Sequence, residues 1–527
     1  MTASENSGAR PAAKTAKPLF DRILIANRGE IALRVIRTAR EMGIECVAVY
    51  SDFDARALHV RMAHKAVALG GSLPSESYLR IDKILAAAKA TGAQAVHPGY
   101  GFLSENAVFA RKVEEAGLTW IGPPPAAIVT MGDKIESRRA MRDAGVPIVP
   151  GLADPVDSAA AAREAAREIG FPIAIKAAAG GGGKGIRIVR ESGEFENAFR
   201  AASSEAERSF GDGRVYLERY MDSPRHIEVQ VLFDAHGHGV HLFERECSIQ
   251  RRHQKLIEEA PSIVIDEKTR ARMGEVALQA GRAVDYRGAG TVEFLWSKGE
   301  FYFLEMNTRL QVEHPVTEMV TGLDLVREQL RVAAGEPLGY TQEDLGINGW
   351  SIEVRINAED PQHNYVPSTG VLHNLRAPGG PAVRLDTGMY RGMEVGLNYD
   401  PMLGKLIVWG PNRDQAIRRM CRALEELNVG GVRTSAPAAL AVLRDERFRA
   451  GDFDTHFLET VDLKAPVQWE GLVAAAASIH RWRLARRRAL VQDGPGGLGG
   501  RAGWHARGRS TTSTHTKRAD RTGGVKP

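Results

Sequence analysis

From Glu305 to Glu313 the chain reads Glu-Met-Asn-Thr-Arg-Leu-Gln-Val-Glu. Glu305, Asn307, Arg309, Gln311 and Glu313 are strong polar groups, and Met306, Leu310 and Val312 alternate with them. An extended chain places alternate side chains on one face. The pattern therefore predicts a single wall carrying carboxylates, amides and a guanidinium. Glu293 lies in the preceding strand-like run, Thr-Val-Glu-Phe-Leu-Trp. If the loop between the two runs holds an odd number of residues, such as Lys298–Glu300, Glu293 comes opposite Glu305 on the same face. An even loop sets them on opposite faces. Two adjacent carboxylates repel unless a cation joins them. With Asn307 they make a hard-oxygen site suited to Mg²⁺ or Mn²⁺ bridging nucleotide phosphates.

Four further stretches have residue types that can do chemistry. Ile173–Lys176 leads into a glycine loop containing Gly181, Gly182 and Gly183, and Ile186–Val189 leads out. Lys184 precedes a glycine and a strand, so the loop lacks the Gly-Lys-Ser/Thr helix start of a P-loop. It reads as a flap whose bare amides can close over phosphates, and Lys176, at the end of an apolar strand, wants an anion. The run from Cys247 to Lys255 (CSIQRRHQK) is dense in cationic and amide donors, and by itself reads equally well as an exposed basic loop. His97-Pro-Gly-Tyr100 opens a tight strand-to-helix turn in which Ser104 is placed to cap the helix. Glu353-Val-Arg355-Ile-Asn357 alternates again, with Arg355 on an otherwise apolar strand.

The elements that must hold these groups alternate between strand and helix. Arg22–Ala26 reads as a buried strand, Ile31–Met42 as an amphipathic helix and Cys46–Tyr50 as the next strand, a βαβ unit with a parallel sheet. A second α/β segment carries the flap and then a strand-rich stretch from Val215 to Phe303, and residues 349–460 form a third unit. The fold class is α/β in three parts. The 527 residues, 43% hydrophobic and 26% charged, suit a globular chain of about three packed units. Cys46, Cys247 and Cys421 build no disulfide framework, and no secretory h-region or membrane-length apolar run occurs, so a cytoplasmic location is expected. Residues 481–527 carry ten Arg and two Lys against Asp493 and Asp520, so the net charge of +5 hides a mildly acidic body. No aromatic-interleaved groove accompanies that basic tail, which reads as a solvated extension rather than a nucleic-acid site.

The quoted segments, with ILIANRGEIA, MGDK, MNTRLQVEHPVTE and EVRINAEDP, resemble the biotin carboxylase family, the ATP-grasp component of acyl-CoA carboxylases. The resemblance runs from about Phe20 to about Leu458. It implies a disordered leader (1–19), a Rossmann-like N-terminal domain (20–133), an ATP-grasp domain (134–347) with a mobile lid at about 150–220, and a C-terminal α/β domain (348–462). Beyond these, 463–527 is a helix-like stretch followed by a disordered Gly/Arg tail. ATP is implied at Lys134, Lys176, Gly181, Gly182, Gly183, Glu218, Tyr220, Met221, His226, Gln250 and His253, and the metal at Glu293, Glu305 and Asn307. Bicarbonate is implied at Lys255, Arg309, Gln311 and the Val312 amide, and biotin at Tyr100 and Arg355. Glu313 corresponds to the general base and Arg355 to the group that stabilises the biotin enolate, with Lys255 and Arg309 completing the catalytic set.

The implied reaction is ATP- and bicarbonate-dependent carboxylation of biotin through carboxyphosphate, as a first step of acyl-CoA carboxylation and fatty acid biosynthesis. No Met-Lys-Met occurs, so a biotin carboxyl carrier protein and a carboxyltransferase are expected on other chains, with a homodimer and no nucleic-acid or membrane partner. Another ATP-grasp ligase, forming carbamoyl phosphate or a carboxyamine, is the alternative that the RRHQK and Arg355 segments argue against. A non-catalytic nucleotide-binding protein would have no need of base and anion wall together. The site groups end before Ala358, and residues 494–527 lack apolar periodicity. Removing 494–527 should therefore leave bicarbonate-dependent ATP hydrolysis and carboxylation of free biotin unchanged, as a turnover assay of the truncated chain would check.

Overall fold

The computed structural model describes residues 19–152, 156, 158–177, 187–210, 213–252, 254–461 and 469–492. The leader, the glycine loop with Gly181, Gly182 and Gly183, His253 and the tail after Gln492 lie outside the described residues. The body extends to Lys464. The unit that follows it is described over one helix, Trp469–Gln492, whose side chains from 475 to 486 are solvent-exposed. No helix among the described residues is long and apolar enough to cross a membrane.

The first strands are β1 (Arg22–Ile25), β2 (Glu45–Tyr50), β3 (Lys65–Ala68), β4 (Ala95–His97) and β5 (Thr119–Trp120). They form one parallel sheet in the order β3-β2-β1-β4-β5. This is the doubly wound arrangement, in which a crevice opens at the strand ends where the order reverses. At that point, between β1 and β4, Asn27 Nδ2 donates to the carbonyls of Pro98 and Tyr100 at 2.7 and 2.8 Å. Gly99 lies at φ +65°, and a Cβ there would meet the Asn27 amide at 2.9 Å, so the turn requires glycine. The expected cap is corrected. The helix begins at Ala107, two residues later than Ser104 could serve, and Asn106 caps it by accepting from the Phe109 amide at 2.8 Å.

β6 (Ile173–Ala177), β7 (Arg187–Val189) and β8 (Val215–Arg219) make a small antiparallel sheet in the order β7-β6-β8. Ile173 pairs with Val189 and Ile175 with Arg187, so a hairpin, not a helix, brackets the glycine loop.

The remaining long strands are β9 (Arg225–Phe233), β10 (Gly239–Arg251), β11 (Gln254–Ala260), β12 (Gly288–Ser297), β13 (Glu300–Asn307), β14 (Trp350–Asn357), β15 (Val383–Thr387) and β16 (Met402–Gly410). They build one eight-stranded antiparallel sheet, ordered β13-β12-β9-β10-β11-β14-β16-β15. β14 pairs with β11, so the sheet runs on without a break from the strand-rich middle of the chain into its C-terminal part. One face is apolar throughout. Ile227, Val229, Phe294, Phe301 and Met306 pack beneath helix Glu267–Arg282, and Ile352, Val354, Leu406 and Val408 beneath helix Arg413–Glu426. Strand alternation then turns Glu228, Gln230, Glu293, Glu353 and Arg355 to the opposite face.

Two β-bulges decide which residues share that face. The hairpin between β12 and β13 turns on the two residues Lys298 and Gly299, an even loop. By alternation alone that would separate Glu293 from Glu305. An extra residue, Leu304, restores them, and Glu293 pairs directly with Glu305. A register shift between Ile249 and Gln250 likewise leaves Leu256 as an extra residue on β11, so Lys255 and Glu258 both reach the polar face although they are three residues apart.

Candidate active site

The polar face centres on Lys255. Its ammonium donates to Glu228 Oε2 at 2.6 Å, Glu313 Oε1 at 2.5 Å and Glu293 Oε1 at 3.1 Å. The strand hairpin places it there. Within the CSIQRRHQK stretch, Cys247–Arg251 end β10 and Gln254–Lys255 open β11, with Arg252 and Gln254 exposed, and Gln250 stands directly across from Lys255. Gln250 is buried and contacts His226 Nδ1 at 3.4 Å, and His226 Nε2 meets Glu293 Oε2 at 2.9 Å. Asn307 and Gln311 also donate to Glu293, at 2.9 and 2.6 Å. Arg355 bridges two carboxylates, Glu313 Oε2 at 3.0 Å and Glu258 Oε1 at 2.5 Å.

Below this layer, Arg245 is fully buried and satisfied on all sides. It donates to Glu228, Gln230, Gln311, Thr291 and Thr317 at 2.5 to 3.0 Å. It thereby fixes Glu228 and Gln311, both of which touch the centre. Burial alone would push Glu313 up, but Lys255 and Arg355 overcome it and hold its carboxylate well below the usual range. Lys255 and then His226 do the same for Glu293.

The predicted wall is corrected in one respect. β13 ends at Asn307, and Arg309, Gln311 and Glu313 stand on a bent segment rather than on one extended strand. The chain is drawn off the sheet because Leu310 is buried in the N-terminal core and Glu105 accepts from the Thr308 amide at 3.2 Å. Helix His314–Thr321 then starts with proline in its first turn. Gln311 and Glu313 still reach the centre. Arg309 stands at the rim, donating to Glu105 at 2.9 Å and Asn307 Oδ1 at 2.7 Å. The Val312 carbonyl accepts from fully buried Lys405, whose ammonium lies 5.6 Å from the Tyr100 ring.

A divalent cation fits the Glu293–Glu305 pair. Glu305 makes no hydrogen bond or ion pair among the described residues, and although the residue is exposed at the rim, desolvation of its carboxyl by the surrounding groups and then the Glu293 charge push it up. A bound cation relieves such a repulsion, and Asn307 Oδ1 adds a third hard oxygen beside it.

A second cluster lies on the small sheet. Glu218 accepts from both Lys176 and Arg138. Lys134 opens helix Lys134–Asp143, and its charge bears on both Lys176 and Glu305. The Tyr220 amide donates to Pro172 at 2.8 Å, and Met221 follows it. Gly181, Gly182, Gly183 and His253, also predicted for this cluster, lie outside the described residues.

Sequence reasoning missed Glu228, Arg245, Glu258, Lys405, Glu105 and Arg138. Glu228 and Gln230 alternate with Ile227, Val229 and Val231 in the same way as the wall residues do, so that signal was present. Glu258 was hidden by the bulge at Leu256, Lys405 is the single charge in its strand, and Arg138 is one of several charged residues on its helix.

Comparisons with known proteins cover the span of the chain that holds this site. Three family descriptions match in succession: "Biotin carboxylase, N-terminal domain" over 19–128, "Carbamoyl-phosphate synthase L chain, ATP binding domain" over 133–341 and "Biotin carboxylase C-terminal domain" over 353–460. The chain is 51% identical over 447 residues to Biotin carboxylase 1 of Bacillus subtilis, covering 84% of this chain and 99% of that one. It is 50% identical over 442 residues to the biotin carboxylase of Haemophilus influenzae, covering 84% and 98%. Among solved structures, the biotin carboxylase domain dimer of Hydrogenobacter thermophilus 2-oxoglutarate carboxylase, in complex with MgADP, ADP and bicarbonate, matches with a TM-score of 0.77. The identity is 47%, over 84% of this chain and 97% of that one.

Proposed function

The chain belongs to the biotin carboxylase family, and from that premise we infer that its buried ionic layer carries out the ATP- and bicarbonate-dependent carboxylation of biotin, the first half-reaction of a carboxylase. One observation carries the reading. The Glu313 carboxylate is clasped by Lys255 from one strand and Arg355 from another, at 2.5 and 3.0 Å, which puts a base and two cations at one point. A base that must take a proton from bicarbonate and a cation that must meet a developing oxyanion are needed side by side.

Lys134, Lys176 and Arg138 are the cations placed to meet ATP phosphates, with the segment Glu218–Met221 beside them. Glu293, Glu305 and Asn307 are the residues that would hold Mg²⁺ or Mn²⁺, which neutralises phosphate oxygens when bound. Lys255, Gln311 and Arg309, with the backbone at Val312, form the bicarbonate wall. Bicarbonate entering beside Lys255 competes with Glu313 for the ammonium, and its hydroxyl proton passes to the carboxylate so released. The deprotonated oxygen attacks the γ-phosphorus of ATP, the bond to the β-phosphate oxygen breaks and ADP leaves, giving carboxyphosphate. Carboxyphosphate breaks down to CO₂ and phosphate, and that phosphate takes the proton of biotin N1′. Arg355 then faces the ureido oxygen, where the negative charge develops, N1′ attacks CO₂, and Tyr100 lines the approach. Biotin is expected to arrive on a carrier protein, with the acceptor chosen by a separate carboxyltransferase, and the chain to work as a homodimer.

The Lys176 ammonium is lowered to about 8 by burial, then by the charges of Arg138 and Lys134. A bound polyphosphate favours the protonated amine. Affinity for ADP should thus be constant below about pH 8 and fall as pH rises above it. Calorimetric titration across pH 7 to 10 reads this, and Lys176→Arg, which stays charged, should flatten the profile.

Glu313 and Arg355 should separate in kinetics. Glu313→Gln keeps the shape and removes the base. It should depress bicarbonate-dependent phosphate release and carboxybiotin formation together, by about 10²–10⁴-fold. Arg355→Ala should spare phosphate release more than carboxybiotin. Measuring both products in parallel checks the assignment, and the opposite pattern contradicts it.

A further inference from the structure

Arg355 is held from behind by a carboxylate that the reaction above does not use. Its Nε donates to Glu258 Oε1 at 2.5 Å, while Nη2 reaches Glu313 Oε2 at 3.0 Å. Glu258 is fully buried on β11. Directly across from it on β14 stands Glu353, also fully buried, and neither carboxyl oxygen of Glu353 has a hydrogen-bond partner among the described residues. An ionised carboxylate does not persist in such a place, and of two facing buried carboxyls one carries a proton. Burial pushes Glu258 up to about 7 against the pull of Arg355, and Glu353 well above the carboxylate range against the pull of Lys405. Glu353 is therefore the protonated member, and the contact with Arg355 leaves the charge on Glu258.

This arrangement bears on what happens when the base does its work. Glu313 is one of two carboxylates that hold the guanidinium. Once Glu313 accepts a proton it is neutral and its grip on Nη2 weakens, at the stage when Arg355 is next required. Neutralising Glu313 also removes a like charge that raises Glu258, so Glu258 holds its charge more firmly through that step.

We propose, resting on the role given to Arg355 above, that Glu258 is the positioning residue of that arginine: it anchors Nε so that Nη2 can leave Glu313 and face the biotin ureido oxygen without the side chain losing its seat. The guanidinium suits this division, since its donors form a planar fork in which one edge can be tied while another is exchanged. A lysine in the same place would have a single centre to share.

The test uses the full chain with ATP, bicarbonate and free biotin, and reads phosphate and carboxybiotin in parallel for Glu258→Gln, Glu258→Asp, Arg355→Ala and the Glu258→Gln/Arg355→Ala pair. Glu258→Gln should keep bicarbonate-dependent phosphate release within about threefold and lower carboxybiotin roughly 10–100-fold, the size typical of a lost orienting partner. The pair should be no worse than Arg355→Ala alone, and Glu258→Asp should recover part of the coupling. An unchanged product ratio in Glu258→Gln, a parallel fall in both products, or failure of that variant to fold would overturn the proposal by making Glu258 structural. If Arg355→Ala itself leaves the product ratio unchanged, the role of Arg355 falls and this proposal with it. If Arg355→Ala uncouples and Glu258→Gln does not, only this proposal falls.

Discussion

A single buried ammonium must balance three carboxylates. Lys255 touches Glu228, Glu293 and Glu313 at once, and these three side chains are no more than 6% exposed. Carboxylates this close and this dry repel one another strongly, and each would bind a proton if its counter-charge were removed. Lys255, Arg245 and Arg355 are threaded between the acids, each set by a different strand, and they hold Glu293 and Glu313 ionised. Breaking one such buried contact typically costs about 3–5 kcal/mol, since it leaves a charge alone in a low dielectric. Nothing in this layer gains much stability over an apolar one of the same shape. Its worth lies in holding groups ready to exchange partners when an anion enters.

That requirement explains the sheet. Apart from Glu313, which stands on the segment between β13 and helix His314–Thr321, the acids and cations come from β9, β10, β11, β12 and β14, and a continuous sheet fixes their spacing. The apolar face provides the rigidity, with side chains from Val229 to Val408 packed beneath two helices. The bulges at Leu304 and Leu256 then move single residues across faces without disturbing the ladder on either side. At the rim the order relaxes: Arg309 and Glu105 are partly exposed, and Glu305 faces Glu293 with no protein partner of its own among the described residues. A centre closed on protein groups thus sits beside a rim open to ligands.

Much of this was legible in the chain. Alternation in 305–313 announced a polar wall, and the run from Arg22 to Tyr50 announced a βαβ unit, because both depend on local periods of two and 3.6 residues. What periodicity cannot show is where a period is interrupted. The loop-parity argument for Glu293 and Glu305 reached the right pairing by the wrong route, since the turn is even and a bulge compensates. Glu258 escaped notice because strict alternation from Lys255 puts it on the apolar face. Lys405 was invisible for another reason: one lysine in an apolar strand acquires meaning only when the Val312 carbonyl, 93 positions away in the chain, is folded against it.

If Lys255 is the shared counter-charge of the site, replacing it with an uncharged residue of similar length must disturb the acids around it. In Lys255→Gln at least one of Glu228, Glu293 and Glu313 should bind a proton at pH 7, seen as a shifted side-chain carboxyl signal in carbon NMR of glutamate-labelled protein. Bicarbonate-dependent phosphate release should fall by about a hundredfold or more in the same sample. A folded variant in which all three carboxyls remain ionised at pH 7 and phosphate release is preserved would contradict that role.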